Sequence, residues 1–528
     1  MRATCAGPVR SMRRDLTRLC AEPHDVIVVG GGIHGACAAW EAARRGLRVA
    51  LIEAGDFNRA TSANSLRTLH GGLRHLQRLD FVHMRESIRE RSEWLRIAPE
   101  LTQPLRFLLP THGLGTRSRP VLRAALWVND LVSADRNQGI APDHQLPNGA
   151  ILGKAEFDSL YPGLSIADHD GAAAWYDGIC LNTERLQLAV VKAAVICEAQ
   201  AANYLRALQP LQDERDVTGV RVRDELTGRQ MDLHARVIIN AAGPWIEEWL
   251  SSGSSVPRPA RAFKPSKAFN LLVRKLPFRD ALGLTARGNT YFIMPWNGYS
   301  LVGTRHLRCD PATLEASISR EEVLAFLSDL NPLLGEHRLS GADIHGIFSG
   351  LLPETTDAAG PDVALERSAQ IIDHAEQGLP GLVSIIGVKW TTARAVGERV
   401  ARRACRRLGR TDQLSSAERK LDCGPIPLPD SDPAWAARIV PDLPVVLGQV
   451  VHAVRHEMAM RLSDVVRRRT PLYLSEALDS AVLASCAATM ARELRWSRRD
   501  VAAEIEATEA EIAAFRGPFW LDARPVAA

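Results

Sequence analysis

The chain alternates between short, wholly apolar runs and longer stretches in which apolar positions recur every second, or every third to fourth, residue. Val26-Ile27-Val28-Val29 is the first such run, and its β-branched character predicts a strand buried on both faces. Three glycines follow, then an alanine-rich stretch from Ala36 to Arg45 that predicts a helix closed by Gly46. Val49-Ala50-Leu51-Ile52 predicts a second buried strand, ending at Glu53. Together these make a β-α-β unit of about 30 residues. Val237-Ile238-Ile239-Asn240 predicts a further parallel strand running into Ala241-Ala242-Gly243-Pro244, and Leu382 to Gly387 predicts another, leading into a helix near Thr391. Alternation in Tyr291-Phe292-Ile293-Met294-Pro295 and in Tyr299-Ser300-Leu301-Val302-Gly303 predicts antiparallel strands of a different sheet. The nucleotide-type sheet is thus expected to be interrupted, with a second domain inserted in pieces.

Past Cys423 the pattern changes. Gly424, Pro425, Pro427, Pro429 and Pro433 read as a linker, and the remainder as helices. Leu447, Val451, Val454, Met458, Leu462 and Val465 form one helical stripe, and Leu478, Val482, Cys486 and Met490 a second. A last helix opens on Ser497-x-x-Asp500, a capping-box arrangement, and stops at Gly517-Pro518. Arg467-Arg468-Arg469 reads as a solvated helix end, the alternative being a patch for anionic lipid or a partner.

Composition narrows the picture. A chain of 528 residues, 46% hydrophobic and 24% charged, is a soluble-type globular protein larger than one small module. Lys plus Arg number 65 against 61 for Asp plus Glu, a net charge of +4, too mild for a nucleic-acid stripe. No apolar run approaches the ~20 residues that span a bilayer. The nine cysteines show no C-x-x-C spacing, which reads as reduced thiols facing the cytosol. Residues 1–24 carry Arg2, Arg10, Arg13, Arg14 and Arg18 without an apolar run behind them, a flexible basic leader and not a secretory signal. No metal-ligating constellation is read.

Gly30-Gly31-Gly32-Ile33-His34-Gly35 fits G-x-G-x-x-G. It follows a buried strand, opens a helix, and has Glu53 at the end of the next strand, the context a dinucleotide fingerprint requires. That acid suits ribose hydroxyls and disfavours a 2′-phosphate. On these residues alone, NAD and FAD both remain open. His34 faces the phosphate side and reads as structural.

The stretch Thr61-Ser62-Ala63-Asn64-Ser65-Leu66-Arg67-Thr68-Leu69-His70-Gly71-Gly72-Leu73-Arg74-His75-Leu76 resembles the T-S-S-x-S-x-K-L-I-H-G-G-L-R-Y-L of FAD-dependent glycerol-3-phosphate dehydrogenases, within the D-amino-acid-oxidase-like flavoproteins. Arg106 to Pro110, Tyr176-Asp177 with Arg185-Leu186, Asn240 to Trp245, Pro295-Trp296 with Gly303-Thr304, and Gly387 to Arg394 resemble that family's further motifs in the same order. The resemblance runs from about Asp25 to Gly517. It implies an α/β plus α fold: a doubly wound FAD-binding domain (about 25–100, 170–245 and 355–422), an inserted antiparallel substrate domain (about 101–169 and 246–354), and a C-terminal helical domain (423–528). It implies FAD held by Gly30, Gly32, Gly35, Glu53, Thr61, Ser62, Ser65, His70, Gly71, Gly72, Ala242, Gly243, Gly387, Lys389 and Thr391. The implied reaction passes a hydride from a secondary alcohol to flavin N5, giving dihydroxyacetone phosphate from glycerol 3-phosphate. Electrons then pass to a quinone or another acceptor.

Lys389, Arg74 and Arg367 are the expected catalytic and anion-holding cations. His75, His306 and His70 are candidate bases, and the sequence does not choose among them. The implied partners are a phosphorylated polyol, the acceptor, a peripheral membrane surface on the cytoplasmic side, and a second copy of the chain as a homodimer, with no nucleic acid. Several positions depart from the family pattern. Leu352 stands where an arginine is usual, Asn270 where a histidine is usual, and His75 and Ala393 replace tyrosines; Gly303-Thr304-Arg305-His306 replaces G-T-T-D. These departures touch the substrate and leave two alternatives: another polyol, hydroxy acid or amine as substrate, or an FAD-binding protein with little turnover.

Overall fold

The computed structural model of the chain describes residues 11–213, 216–252, 264–310, 314–355, 363–410, 420–424, 426 and 433–519. The chain forms two units, each woven from separated segments. One comprises residues 1–63, 183–264 and 366–513, the other 64–182, 265–365 and 514–528.

In the first unit the apolar runs pair as their sequence predicts. His24–Val29 lies parallel between Val49–Ile52 and Gln230–Asn240, with Leu382–Ile386 parallel beyond the latter. Gln200–Ala202 and Gln370–Asp373 form the edges, parallel and antiparallel respectively. Every residue of His24–Val29 is buried, because a strand covered on both faces has no solvent side to alternate toward. Helix Ile33–Arg44 packs on this sheet between Thr183–Ile196 and Ala393–Arg407. Gly46 closes it at φ 72°, the left-handed turn that glycine favours after a helix.

Three expectations are corrected here. Residues 11–24 are not a flexible leader. Leu16–Ala21 is a helix, Met12 and Leu19 are buried, the Met12 N–H donates to the His456 carbonyl at 3.1 Å, and Arg14 Nε donates to the Asn203 carbonyl at 2.9 Å; residues 1–10 lie outside the described residues. Next, the stripe from Leu447 to Val465 is not one helix. Leu447–Glu457 stops at Met458, φ 55°, and a new helical turn opens at Leu462. The break arises because the Asp464 carboxylate accepts the Met460 and Arg461 N–H groups at 2.8 and 2.9 Å, capping a fresh helix start. Lastly, Arg468 and Arg469 are no solvated end. Both are buried, because the turn Val465–Arg469 directs them inward onto Asp56, Asp464 and Glu511.

Ser480–Leu494 and Arg498–Arg516 complete the C-terminal helices, the latter capped reciprocally by Ser497 and Asp500. They make up the expected C-terminal helical part of the chain, which up to residue 513 groups with the nucleotide-type sheet in the first unit.

The second unit is built on a nine-stranded sheet ordered Ile344–Glu354, Lys264–Val273, Tyr299–Arg308, Asn289–Trp296, Ala281–Ala286, Thr102–His112, His169–Cys180 and Thr68–Leu69, with Ala150–Gly153 also paired to His169–Cys180. Residues 64–100 and 170–182 therefore sit here, not in the FAD domain as expected. The cause is strand pairing: His169–Cys180 runs antiparallel along Thr102–His112 and accepts Thr68–Leu69 at its other edge. Residues 246–264 group with the first unit instead. Helix Arg320–Leu334 covers one sheet face, where Phe326 meets Phe269 and Tyr291 edge-on or tilted.

Candidate functional site

In the first unit three loops leave the carboxyl ends of neighbouring parallel strands: Gly30 to Gly32, Ala241 to Gly243, and Gly387 to Thr392. From His24–Val29 the chain next enters the sheet on one side, and from Gln230–Asn240 on the other. The crevice between them is a topological switch point, where open α/β sheets bind ligands.

The glycines have separate roles. Gly30 adopts φ 103°, and a Cβ there would stand 2.4 Å from the Ala241 carbonyl oxygen. A Cβ on Gly35 would collide with the backbone of Gly30, whereas one on Gly32 would meet only Ser62 Oγ, at 3.2 Å. Gly30 and Gly35 thus close the turn on itself, and Gly32 leaves backbone open in front of the helix start. Ser62 Oγ accepts the Ile33 N–H at 3.0 Å. Glu53 accepts the Gly31 N–H at 2.6 Å and the Gly55 N–H at 2.8 Å, while burial pushes its carboxyl up. Gln187, buried in Thr183–Ile196, donates to the Gly31 carbonyl; a lone amide within a helix gives no pattern to find it by.

Gly243 has φ 60° with open space where a Cβ would be, Ala242 donates to Asn240 Oδ1 at 3.2 Å, and Thr391 is buried. Half-buried Lys389 lies on the loop after Leu382–Ile386, at the same sheet edge. Gly387 is glycine because a Cβ would strike the His34 ring at 2.4 Å. Burial, aided by Arg399, pushes that imidazole down to about 4. His34 is therefore a packing residue under the loop. Arg367 is exposed ahead of the edge strand Gln370–Asp373, Thr61 is half-buried, and Ala393 is buried at the first position of its helix. An open backbone cradle at a helix start, with an acid at the next strand end, fits a dinucleotide.

In the second unit the His70-Gly71-Gly72 turn is carried by a buried ion pair that sequence reasoning did not assign. Asp177 Oδ1 accepts the Gly71 N–H at 2.7 Å and Arg91 Nη1 at 2.6 Å, and His70 Nδ1 stands 3.8 Å from its other oxygen. Burial opposes the charge on Asp177, but His70 and Arg91 outweigh it and hold the carboxyl below its ordinary value. A side chain on Gly71 would enter the Arg91 guanidinium, which explains the glycine. Ser65 Oγ accepts the Arg67 N–H at 3.2 Å, and the Arg67 guanidinium stacks over Trp296, 4.2 Å from the ring centre.

The expected substrate-side residues divide. His75 pairs with Asp80 at 3.6 Å and stacks on His83. Arg305 bonds Tyr291 and Asp329 on the helix-covered face. Asn270 has both ends engaged, accepting from Thr304 at 2.7 Å and donating to the Asn64 carbonyl at 3.3 Å. His306 follows Arg305 along the strand and so faces the opposite way. Its Nδ1 makes no hydrogen bond, and burial, then the charges of nearby Arg74 and Arg305, push the ring down to about 4. Arg74 is exposed.

Residues 25–403 match the family of FAD dependent oxidoreductases, and residues 425–501 match the C-terminal domain of alpha-glycerophosphate oxidase. The chain belongs to the FAD-dependent oxidoreductase family: it is a flavoenzyme whose cofactor is FAD, as its motifs implied. Among its relatives, a glycerol-3-phosphate dehydrogenase of Synechocystis is 29% identical, matching over 92% of this chain and 95% of that protein. The mitochondrial glycerol-3-phosphate dehydrogenase of Homo sapiens is 30% identical over 71% of this chain but only 52% of that protein, so the match spans about half its length. The crystal structure of the glycerol-3-phosphate dehydrogenase of Bacillus halodurans, complexed with FAD, shares the fold at a TM-score of 0.72 over 95% of this chain and 97% of that one, at 22% identity.

Proposed function

We propose that this flavoenzyme oxidises the secondary hydroxyl of a phosphorylated polyol, with glycerol 3-phosphate as substrate, dihydroxyacetone phosphate as product and a quinone at a membrane surface as electron acceptor. The observation that carries the reading is the near full-length likeness to the Synechocystis glycerol-3-phosphate dehydrogenase, and the positive charge that Arg74 exerts on the buried His306 ring fits it. An alcohol yields a hydride only as its hydroxyl proton is taken, which calls for a neutral acceptor beside a cation that holds the ester. Of the three candidate bases, His70 and His75 each face a carboxylate, and the buried Nδ1 of His306 makes no hydrogen bond. A phosphate brought to Arg74 offsets one of the cations depressing His306, so its proton affinity rises when substrate is in place. Lys389 and Arg367 are, on the family resemblance, the further cations proposed to act in the reaction.

Bound FAD supplies the two-electron acceptor for this oxidation. Gly30, Gly32, Gly35, Ala242, Gly243, Gly387 and Thr391 would hold it, with Glu53 at the ribose hydroxyls of its adenosine half. No helix among the described residues is long and apolar enough to cross a membrane. Peripheral contact with a membrane surface is supported by exposed apolar side chains in the second unit: Leu79, Phe81, Val82, Val121, Trp127 and Leu131. Exposed Arg78 and Arg123 neighbour them in sequence.

Leu352 and the fully engaged Asn270 favour a second reading, in which the substrate is an uncharged polyol or a hydroxy acid. Anaerobic flavin bleaching by glycerol 3-phosphate, glycerol and small hydroxy acids separates the two. Rapid, saturable bleaching by the phosphate ester supports the first reading, and bleaching by the other compounds alone establishes the second. Leu352→Arg is expected to tighten binding of the ester about tenfold to a hundredfold, as one hydrogen bond to a charged group is worth roughly 1.5–3 kcal/mol. Lys389→Met is expected to keep FAD and slow its reduction.

A further inference from the structure

Glu53 heads a turn whose other end, Asp56, is wholly buried within the first unit. Asp56 Oδ2 accepts from Arg468 Nε at 2.8 Å and Arg469 Nη1 at 2.7 Å; Oδ1 accepts from Arg469 Nη2 at 2.8 Å and Asn203 Nδ2 at 2.9 Å. Arg469 therefore grips the carboxylate with both arms of its fork, a geometry that lysine cannot reproduce. Burial opposes the charge on Asp56, yet Arg469 outweighs it and keeps the carboxyl below its ordinary value.

The clamped turn is the one that meets the glycine loop. Glu53 at its start and Asn58, two residues past its end, both bond Gly31, through the Glu53 carboxylate at 2.6 Å and the Asn58 N–H at 3.4 Å. The Tyr204 N–H holds the Gly55 carbonyl at 2.8 Å from the other side. Buried ion pairs add little net stability, because desolvation offsets attraction; their attested use is to fix one arrangement among several. Here the arrangement fixed is that of Glu53. The arginines that fix it come from the C-terminal helical segment, which contributes no glycine loop of its own.

We propose that Arg469 and Arg468 are positioning residues for the adenosine end of the FAD site: by clamping Asp56 they hold the Glu53 carboxylate where it takes the ribose hydroxyls. The C-terminal helical segment thereby sets cofactor affinity through a turn of the nucleotide fold. This rests on the placement of Glu53 at the ribose proposed above.

The test is titration of the full-length, flavin-stripped chain with FAD and, separately, with ADP, which carries the adenosine ribose and pyrophosphate but no flavin. Asp56→Asn and Arg469→Met are expected to weaken both ligands by roughly tenfold to a hundredfold, the range lost when a supporting partner of a binding group is removed. Arg469→Lys, which keeps the charge but not the fork, is expected to recover part of the loss and serves if Arg469→Met does not fold. Glu504→Gln provides a structural control, since Glu504 bonds Arg461 and the Leu462 N–H in the same segment. It should lower the thermal midpoint and leave both affinities within about twofold of the parent. The proposal is overturned if the Asp56 and Arg469 variants bind FAD and ADP like the parent while Glu53→Gln weakens both. It is equally overturned if Glu504→Gln weakens binding as much as they do. If Glu53→Gln leaves ADP binding unchanged, the ribose placement itself fails, and the proposal with it.

Discussion

A Cβ built on Gly35 would stand 1.9 Å from the carbonyl oxygen of Gly30. Helix and strand touch there backbone to backbone, so any side chain must push them apart. Gly35→Ala is expected to destabilise the protein itself, by about 1–3 kcal/mol or more, seen as a lower unfolding midpoint in the absence of flavin. Gly32→Val acts on a different link, because its side chain enters the open cradle. Its flavin-free form should unfold close to the parent, yet the purified protein should be colourless. A fully flavin-loaded Gly32→Val would exclude this loop from the cofactor site.

The Arg91–Asp177 pair behind Gly71 is buried, so removing one partner strands the other charge at a cost of about 3–5 kcal/mol. Arg91→Met should lower stability by that order in urea unfolding. Arg91→Met combined with Asp177→Leu should recover much of it. Reduction of the flavin by substrate should not recover, since the Gly71 N–H then has no carboxylate to hold the turn. Recovery of both properties would show the pair to be purely structural.

The buried His34 imidazole has a folded value of about 4 against an ordinary 6.5. Between those values the unfolded chain binds a proton that the folded chain does not, so stability falls as pH is lowered from about 6.5 to about 4, and this group adds no further loss below that. His34→Gln is expected to remove part of the fall. Chemical unfolding midpoints of parent and variant at about pH 7 and about pH 5 check it: an undiminished pH dependence in the variant assigns the effect to other groups.

Trp127 and Leu131 lie one helical turn apart on Arg119–Val132, both exposed, and Arg85 donates to the Val132 carbonyl at 2.6 Å from the helix that opens with Phe81 and Val82. If this surface meets lipid, Trp127→Glu with Leu131→Glu should abolish sedimentation with anionic vesicles and leave flavin content and anaerobic reduction unchanged. Undiminished vesicle binding would remove the surface from that role.

The parallel strands and the glycine turn were legible in the sequence because their cause is local: β-branched runs with no polar face, and glycines where backbone meets backbone. The boundaries were less so. Residues 64–100 were expected beside the glycine turn, but their placement follows from the pairing of Thr68–Leu69 with His169–Cys180, a partnership about a hundred residues distant that no local pattern announces. Arg467-Arg468-Arg469 misled for the same reason. A run of cations reads as solvated until its counter-charges are known, and Asp56 lies in a different part of the chain. The proposed base was also beyond the sequence: favouring His306 over His75 rests on the carboxylate of Asp80 beside one and the buried Nδ1 of the other, which makes no hydrogen bond.

The long last helix, Arg498–Arg516, belongs to the first unit up to residue 513, and residues 514–528 belong to the second. In the second unit Phe515 and Phe519 fill the places that Gly346 and Gly341 leave open, and Phe519 joins a core containing Leu108, Phe269 and Tyr291. Neither unit can therefore finish its interior until the helix Arg498–Arg516 and the residues just after it have been made, several hundred residues after its first strand. A chain stalled or cut before Phe515 would present unfilled apolar surface in the second unit, making it a substrate for chaperones and proteases despite an intact glycine turn. Quality control of this protein is thus expected to sense the helix Arg498–Arg516 first.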